Sequence, residues 1–129
     1  MGRALLIVLG VLLLAGCGGE EVVSPTGPVE GTLPKAEAAD PANGKTVFTG
    51  NGCGSCHTLK DAAANGKVGP DLDEALKGKD TNFIKVSITD PNSAIAPGFQ
   101  PNVMPQTYGS QLTSQQINDL VAFLQASTK

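Results

Sequence analysis

The chain has 129 residues, enough for one small domain once a targeting segment is set aside. Nine Lys and Arg stand against twelve Asp and Glu, and this mildly acidic balance argues against a nucleic-acid-binding protein, which needs a basic face. With no Trp, one Tyr and four Phe beside 16 Gly and 9 Pro, side chains alone would build only a thin core, which a large apolar cofactor would complete.

The N-terminus has the pattern of an export signal. Arg3 precedes an apolar run of roughly 12 residues, too short to cross the ~30 Å of bilayer hydrocarbon, so residues 1–16 are predicted to be a secretory signal peptide. The run ends in Leu14-Ala15-Gly16-Cys17, which resembles a bacterial lipobox. We expect Cys17 to be acylated and to begin the mature protein, although an ordinary signal cleaved beside a cysteine has the same pattern. The product would be lipid-anchored on the outer face of the bacterial cytoplasmic membrane or in the periplasm.

The next segment has the composition of a tether. Residues 18–39 read GGEEVVSPTGPVEGTLPKAEAA, with no apolar repeat of either period 2 or period 3.6. A chain of this kind behaves as a flexible coil with a root-mean-square span of about 25 Å. The lipidated cysteine and its linker therefore occupy residues 17–39, and the folded domain is predicted at residues 40–129.

The domain opens with a helix signal. Asp40 is a good N-cap, and Pro41 suits the first helical position. Gly44 lies on the same side of the predicted helix as Phe48, where a missing side chain lets another backbone approach. Glycines at positions 50 and 52 end the helix.

Cys53 and Cys56 stand beside the chain's only histidine, His57, in the stretch GNGCGSCHTLK. A structural zinc ion takes four ligands, and with Cys17 lipidated only these three are available. A thioredoxin-like dithiol sits at the start of a helix in a βαβ unit, and no strand precedes Cys53. C-x-x-C-H is also the attachment sequence of c-type haem, which accounts for all three residues.

The haem interpretation follows from the spacing. One helical turn presents two thiols to the two vinyl groups, and the next residue falls under the iron. Export also fits, because haem c is attached outside the bacterial cytoplasm. We therefore predict one covalent haem c, with thioethers to Cys53 and Cys56 and with His57 as an axial ligand.

The rest of the domain reads as helices and loops. A middle helix is predicted at Asn82–Thr89, capped by Asp80 or Thr81 and ended by Pro91. A proline-rich loop follows. Thr113 and Gln116 form a capping box for a last helix with an apolar stripe, made of Ile117, Leu120, Val121, Phe123 and Leu124. The pattern predicts an all-α fold with long loops.

Met104 is the candidate for the second axial ligand. It is the only methionine that remains after signal removal, and it lies in NVMPQTYG among the loop prolines. Its alternative role is that of a flexible core residue, which is the usual use of methionine. A loop flanked by prolines is a poor place for plain packing, and a thioether is a known partner of histidine at haem iron.

With these motifs, residues 40–126 resemble a class I c-type cytochrome. The resemblance implies three to five helices around one haem. It implies that the first and last helices cross beside the haem, where Gly44 and Phe48 would meet Leu120 and Phe123. It implies an axial role for Met104, which precedes proline just before the last helix. In the GPDL motif, it implies that the Pro70 carbonyl accepts a hydrogen bond from the His57 ring. Tyr108 has two interpretations, a hydrogen bond to a haem propionate or plain packing.

A six-coordinate haem of this kind transfers single electrons, so we expect an electron carrier and not an enzyme. The alternatives are a haem subunit of a terminal oxidase or other respiratory complex, since ITDPNSAIAPGFQPNVMP is similar to oxidase-attached cytochrome domains, and a haem enzyme or sensor in which a ligand displaces Met104. By analogy, the donor is a quinol-oxidising complex and the acceptor a terminal oxidase. We expect a monomer without a small-molecule substrate.

Overall fold

A computed structural model describes residues 37–129 of the chain. The predicted signal peptide, Cys17 and most of the linker lie outside these described residues. Five helices occur in the order α1 (Pro41–Gly50), α2 (Leu72–Ala75), α3 (Thr81–Thr89), α4 (Tyr108–Gln111) and α5 (Ser114–Ser127). Within residues 37–129, no helix is both long and apolar enough to cross a membrane.

The helix ends follow the capping rules. The Asp40 side chain accepts a hydrogen bond from the N–H of Ala42, with Pro41 at the first helical position. Asp80 caps α3 by accepting from the N–H of Phe83, so this helix begins at residue 81, one residue before its predicted start. The capping box of Thr113 and Gln116 is complete at the start of α5.

Helices α1 and α5 pack against each other through a glycine. A Cβ on Gly44 would collide with the carbonyl of Asp119 and lie 2.7 Å from the Cβ of Phe123. This close approach also brings the rings of Phe48 and Phe123 into an edge-to-face contact, with centroids 5.9 Å apart. The expected contact of Gly44 and Phe48 with the last helix is present, and Leu120 belongs to the same buried core.

A buried carboxylate, which the sequence did not reveal, joins the two helices. Asp119 is 4 % exposed, and its Oδ1 accepts from the backbone N–H of Asp40 at 2.8 Å and from Nε2 of Gln115 at 2.9 Å. Since buried charges need such partners, the two bonds stabilise the carboxylate, and the bond from Asp40 fixes the entry of the chain into α1.

The class predicted from the sequence is confirmed, because the described residues are mostly helical and include five helices. One small departure is a two-residue antiparallel ladder, β1 (Thr58–Leu59) with β2 (Ala64–Asn65), in which Leu59 pairs with Ala64. Strands this short leave no alternation for a sequence pattern to reveal. The ladder brings the chain back towards residues 53–57, which form the Cys–His turn described below.

Candidate functional site

The two cysteines and the histidine lie on one tight turn. A single 3₁₀ turn covers Cys53–Ser55, and the carbonyl of Cys53 accepts from the N–H of Cys56 at 3.2 Å and from that of His57 at 3.0 Å. Gly52 precedes the turn with φ of +68°, a left-handed conformation that glycine adopts without strain. The two thiols are free and are not joined in a disulfide.

A second piece of chain, residues 66–70, wraps around this turn. The N–H of Gly66 donates to the His57 carbonyl at 3.2 Å, and the N–H of Gly69 donates to the Cys56 carbonyl at 2.8 Å. The carbonyl oxygen of Pro70 lies 2.9 Å from Nδ1 of His57. Since a carbonyl only accepts, Nδ1 carries the proton and Nε2 keeps a lone pair for a metal. We call residues 53–70 the proximal segment.

Two glycines of the proximal segment have no room for a side chain. A Cβ on Gly69 would lie 2.5 to 3.0 Å from three atoms of the His57 ring, and one on Gly66 would lie 2.5 to 2.6 Å from the backbone of Cys56 and His57. Backbone therefore packs directly against the imidazole and holds it in one orientation. GPDL was predicted to orient His57 through Pro70, but the steric part played by its glycine was missed.

The Cys–His turn opens into an apolar cavity of about 500 Å³. Phe83 and Ile84 from α3 and Leu120 and Leu124 from α5 contribute to its walls. Cys53, Cys56, His57, Pro70, Met104 and Tyr108 all line it, so the structure brings the candidate residues of the folded domain to one place. The volume is typical of a small-molecule or cofactor site.

Met104 enters the cavity from the Met104 loop, which we define as residues 91–107. Two asparagines tie the arms of this loop together: the N–H of Asn102 donates to Oδ1 of Asn92 at 2.9 Å, and Nδ2 of Asn92 donates to Oδ1 of Asn102 at 2.7 Å. Asn102 has φ of +62°, a conformation that asparagine tolerates better than most residues. Asn102 lies two residues before Met104, and this asparagine pair was not predicted from the sequence.

The Cys53 thiol is a weaker acid than an ordinary cysteine. Burial, with a smaller contribution from the neighbouring Cys56, raises the pKa of the Cys53 thiol. A reactive C-x-x-C pair needs the opposite shift, because the thiolate is the nucleophile. Burial also raises the pKa of Tyr108. Among residues 37–129, no three His, Cys, Asp or Glu side chains cluster as a metal site would need.

The donor set fits a haem. Two unpaired thiols three residues apart, an imidazole with a free lone pair and a thioether sulfur line one apolar cavity. A flat apolar macrocycle with a central iron uses each of these groups. The Tyr108 hydroxyl also lines the cavity and makes no side-chain hydrogen bond to the described residues, so it is available to a propionate.

Comparisons with known proteins agree with this fit. The family model described as Cytochrome c matches residues 41–128. The crystal structure of the c-type cytochrome SorU from Sinorhizobium meliloti is similar, with a TM-score of 0.53 and 30% identity over 68% of this chain and 90% of that one. No curated protein sequence matches the chain.

Proposed function

The chain belongs to the cytochrome c family, and from that premise we propose that it is a one-electron carrier held at a membrane by a lipid on Cys17. Membership in the family establishes the coarser part of this statement, namely a covalently bound haem c that transfers electrons. The axial ligands, the tether and the partners are the parts that we propose.

Each group in the cavity has a role in the proposal. Cys53 and Cys56 would hold the haem through thioethers, and His57 and Met104 would be the two iron ligands that the protein supplies. A bound haem would supply a reversible Fe(II)/Fe(III) couple, and ligation by a methionine and a histidine would raise its potential. The Pro70 carbonyl keeps Nδ1 of His57 protonated and the ring fixed, which raises the basicity of the ligating nitrogen.

One observation carries the assignment of a carrier: His57 and Met104, the only imidazole and the only thioether of the described residues, line the same cavity. Two protein ligands leave the iron no vacant position for oxygen or peroxide. The described residues hold no second histidine for acid–base chemistry. We therefore propose electron transfer without catalysis of its own.

Substitution of the sulfur ligand tests the proposal. In Met104→Ala, we expect the iron–sulfur charge-transfer band to vanish, carbon monoxide to bind the reduced protein rapidly, and the potential to fall by at least roughly a quarter of the ~0.8 V range that axial ligands span. Val86→Ala is the control, since Val86 is partly exposed and does not line the cavity. If the unaltered protein already binds carbon monoxide rapidly, the carrier proposal is wrong and a ligand-binding haem protein replaces it.

The lipid tether is tested separately. We expect the unaltered protein to incorporate labelled fatty acid and to sediment with membranes. We expect the Cys17→Ser variant to carry no label and to stay in the supernatant. The proposed partners are a quinol-oxidising complex as donor and a terminal oxidase as acceptor. Extraction in mild detergent separates a mobile monomeric carrier, which leaves the membrane alone, from a haem subunit, which co-purifies with its complex.

A further inference from the structure

A single lysine borders the haem cavity. Among the residues of 37–129 that line the cavity, Lys79 is the only Lys, Arg, Asp or Glu. It stands on the turn between α2 and α3, where its backbone N–H donates to the Leu76 carbonyl at 3.0 Å and Gly78 has φ of +70°. Glycine adopts this left-handed conformation without strain, so the turn fixes the backbone from which the lysine side chain projects.

The end of the lysine side chain is positioned as well. Nζ of Lys79 lies 4.9 Å from the centroid of the Phe83 ring, a distance at which an aromatic face attracts an ammonium group. Phe83 packs against the buried core, and its N–H donates to the Asp80 cap of α3 at 2.7 Å. Lys79 is exposed as a residue, and its contact with a ring that lines the cavity keeps the ammonium group at the cavity mouth.

A haem in this cavity would bring two carboxylates, its propionates, to an otherwise apolar site. A carboxylate that loses water needs hydrogen bonds or an opposite charge. Tyr108 and Gln100 line the cavity and offer neutral donors, but only Lys79 offers a full positive charge. We propose that Lys79 is the ion partner of a haem propionate, and that Phe83 is the positioning residue that holds the lysine there. This inference rests on the haem c that membership of the family establishes, and it does not depend on the proposed carrier role or on the tether.

Three other charged side chains lie around Lys79. Lys77, Asp80 and Lys129 border a smaller hollow together with Lys79, and none of the three lines the haem cavity. The Asp80 carboxylate accepts the capping hydrogen bond of α3. Within the cavity, the remaining titratable side chains are those of Tyr108 and of the Cys–His turn. Neutralising Lys79 therefore removes the one ammonium group that borders the cavity, and Lys77 offers a matched control.

The test is the pH dependence of the reduction potential of the holoprotein. A cation beside a propionate keeps it ionised to lower pH, so a protonation of the propionate should raise the potential only on strong acidification. In Lys79→Gln, the pH at which this rise begins should move up by about 1 pH unit. The potential at neutral pH should also fall, because the loss of a nearby positive charge favours ferric iron. Carbon NMR of the propionate carboxyl groups follows the same proton directly.

Lys77→Gln is the control, because it makes the same change in net charge on the same turn at a residue that does not line the cavity. It should leave the pH profile unchanged. Lys79→Arg keeps the charge and should keep the profile of the unaltered protein. The proposal is overturned if Lys79→Gln leaves the propionate titration unchanged, or if Lys77→Gln shifts it equally.

Phe83→Leu tests the positioning role. It should move the propionate titration upward by a smaller amount when Lys79 is present and should not move it in the Lys79→Gln background. A shift of equal size in both backgrounds would show that Phe83 only packs, and its positioning role would be wrong. The iron–sulfur charge-transfer band reports separately on ligation by Met104. If the unaltered protein lacked this band, the ligand proposal would fail, while the propionate titration would still decide the role of Lys79.

Discussion

The proximal segment and the Met104 loop bring the two proposed axial ligands, His57 and Met104, to the same cavity, but they are held by different means. Around His57, backbone packs against backbone and ring, and neither Gly66 nor Gly69 has space for a methyl group. Around Met104, the fixing elements are exposed prolines and the hydrogen-bonded side chains of Asn92 and Asn102. One ligand is fixed by tight packing and the other by a loop that is closed at its surface.

This difference predicts different tolerances. Close-packed backbone cannot relax without moving the histidine, so a single added carbon atom should be severe in the proximal segment. Exposed hydrogen bonds and proline restraints contribute about 1 kcal/mol each, so changes in the Met104 loop should be graded. The following substitutions test this comparison, beginning with the largest expected effect.

Gly69→Ala should have the largest effect. The new Cβ would lie 2.5 to 3.0 Å from Cε1, Nδ1 and Nε2 of His57, so the ring or the backbone must shift. We expect a loss of about 3 kcal/mol in the free energy of unfolding and a large drop in the yield of haem-containing protein. The measurements are denaturant unfolding of the holoprotein and the ratio of haem absorbance to protein.

Gly50→Ala is the control for that change, because a Cβ at the end of α1 meets nothing within 4 Å. It should be neutral or stabilise the protein by up to about 1 kcal/mol. If Gly69→Ala matured and unfolded like Gly50→Ala, backbone packing would not be what holds His57.

The same contrast explains how much of the structure could be predicted from the sequence. The Cys–His motif and the caps at Asp40 and Thr113 are local, so a few adjacent residues were enough to predict them. The hydrogen bond between Asp119 and the backbone N–H of Asp40 joins segments that are distant in sequence, and the packing of Gly69 on His57 joins residues 12 positions apart. Apolar periodicity reports which side of a helix is buried, but it does not report which backbone meets that side.

The asparagine pair was missed for a related reason. Asn92 and Asn102 stand in a loop without periodicity, where Pro and Asn indicate turns but not the pairing of two particular side chains. The backbone N–H of Asn102 fixes which atom of Asn92 accepts and thereby which atom donates. Such a bond requires the loop's closed shape, which the sequence does not specify locally.

Asn92→Ala should have an intermediate effect, confined to the Met104 loop. Removal of two exposed hydrogen bonds should cost about 2 kcal/mol of loop stability. Since alkaline ligand exchange competes with the iron–sulfur bond, a weaker loop loses the charge-transfer band at lower pH. The measured quantity is the midpoint pH, at which half of the charge-transfer band is lost. Each 1 kcal/mol of lost loop stability lowers this midpoint by about 0.7 pH unit if the ligand exchange is coupled to one proton.

Two variants accompany this measurement. Asn92→Asp keeps an acceptor for the N–H of Asn102 and should recover part of the shift. Asn118→Ala removes an exposed asparagine of α5, outside the loop, and should leave the midpoint unchanged. An unshifted midpoint in Asn92→Ala would show that the asparagine pair does not position Met104.

Pro105→Ala should have the smallest effect. It tests how much the backbone restraint of proline contributes, apart from the hydrogen bonds of the asparagine pair. Proline restricts the residue before it to extended conformations, so Pro105 limits the backbone of Met104 itself. Its replacement frees the open loop and should cost about 0.4 to 1 kcal/mol, which lowers the midpoint by about 0.3 to 0.7 pH unit. Pro41→Ala removes a comparable restraint at the start of α1 and should alter only global unfolding, because Pro41 does not line the cavity. If both variants shifted the midpoint equally, ligation by Met104 would depend on overall stability, and the contrast between the two segments would fail.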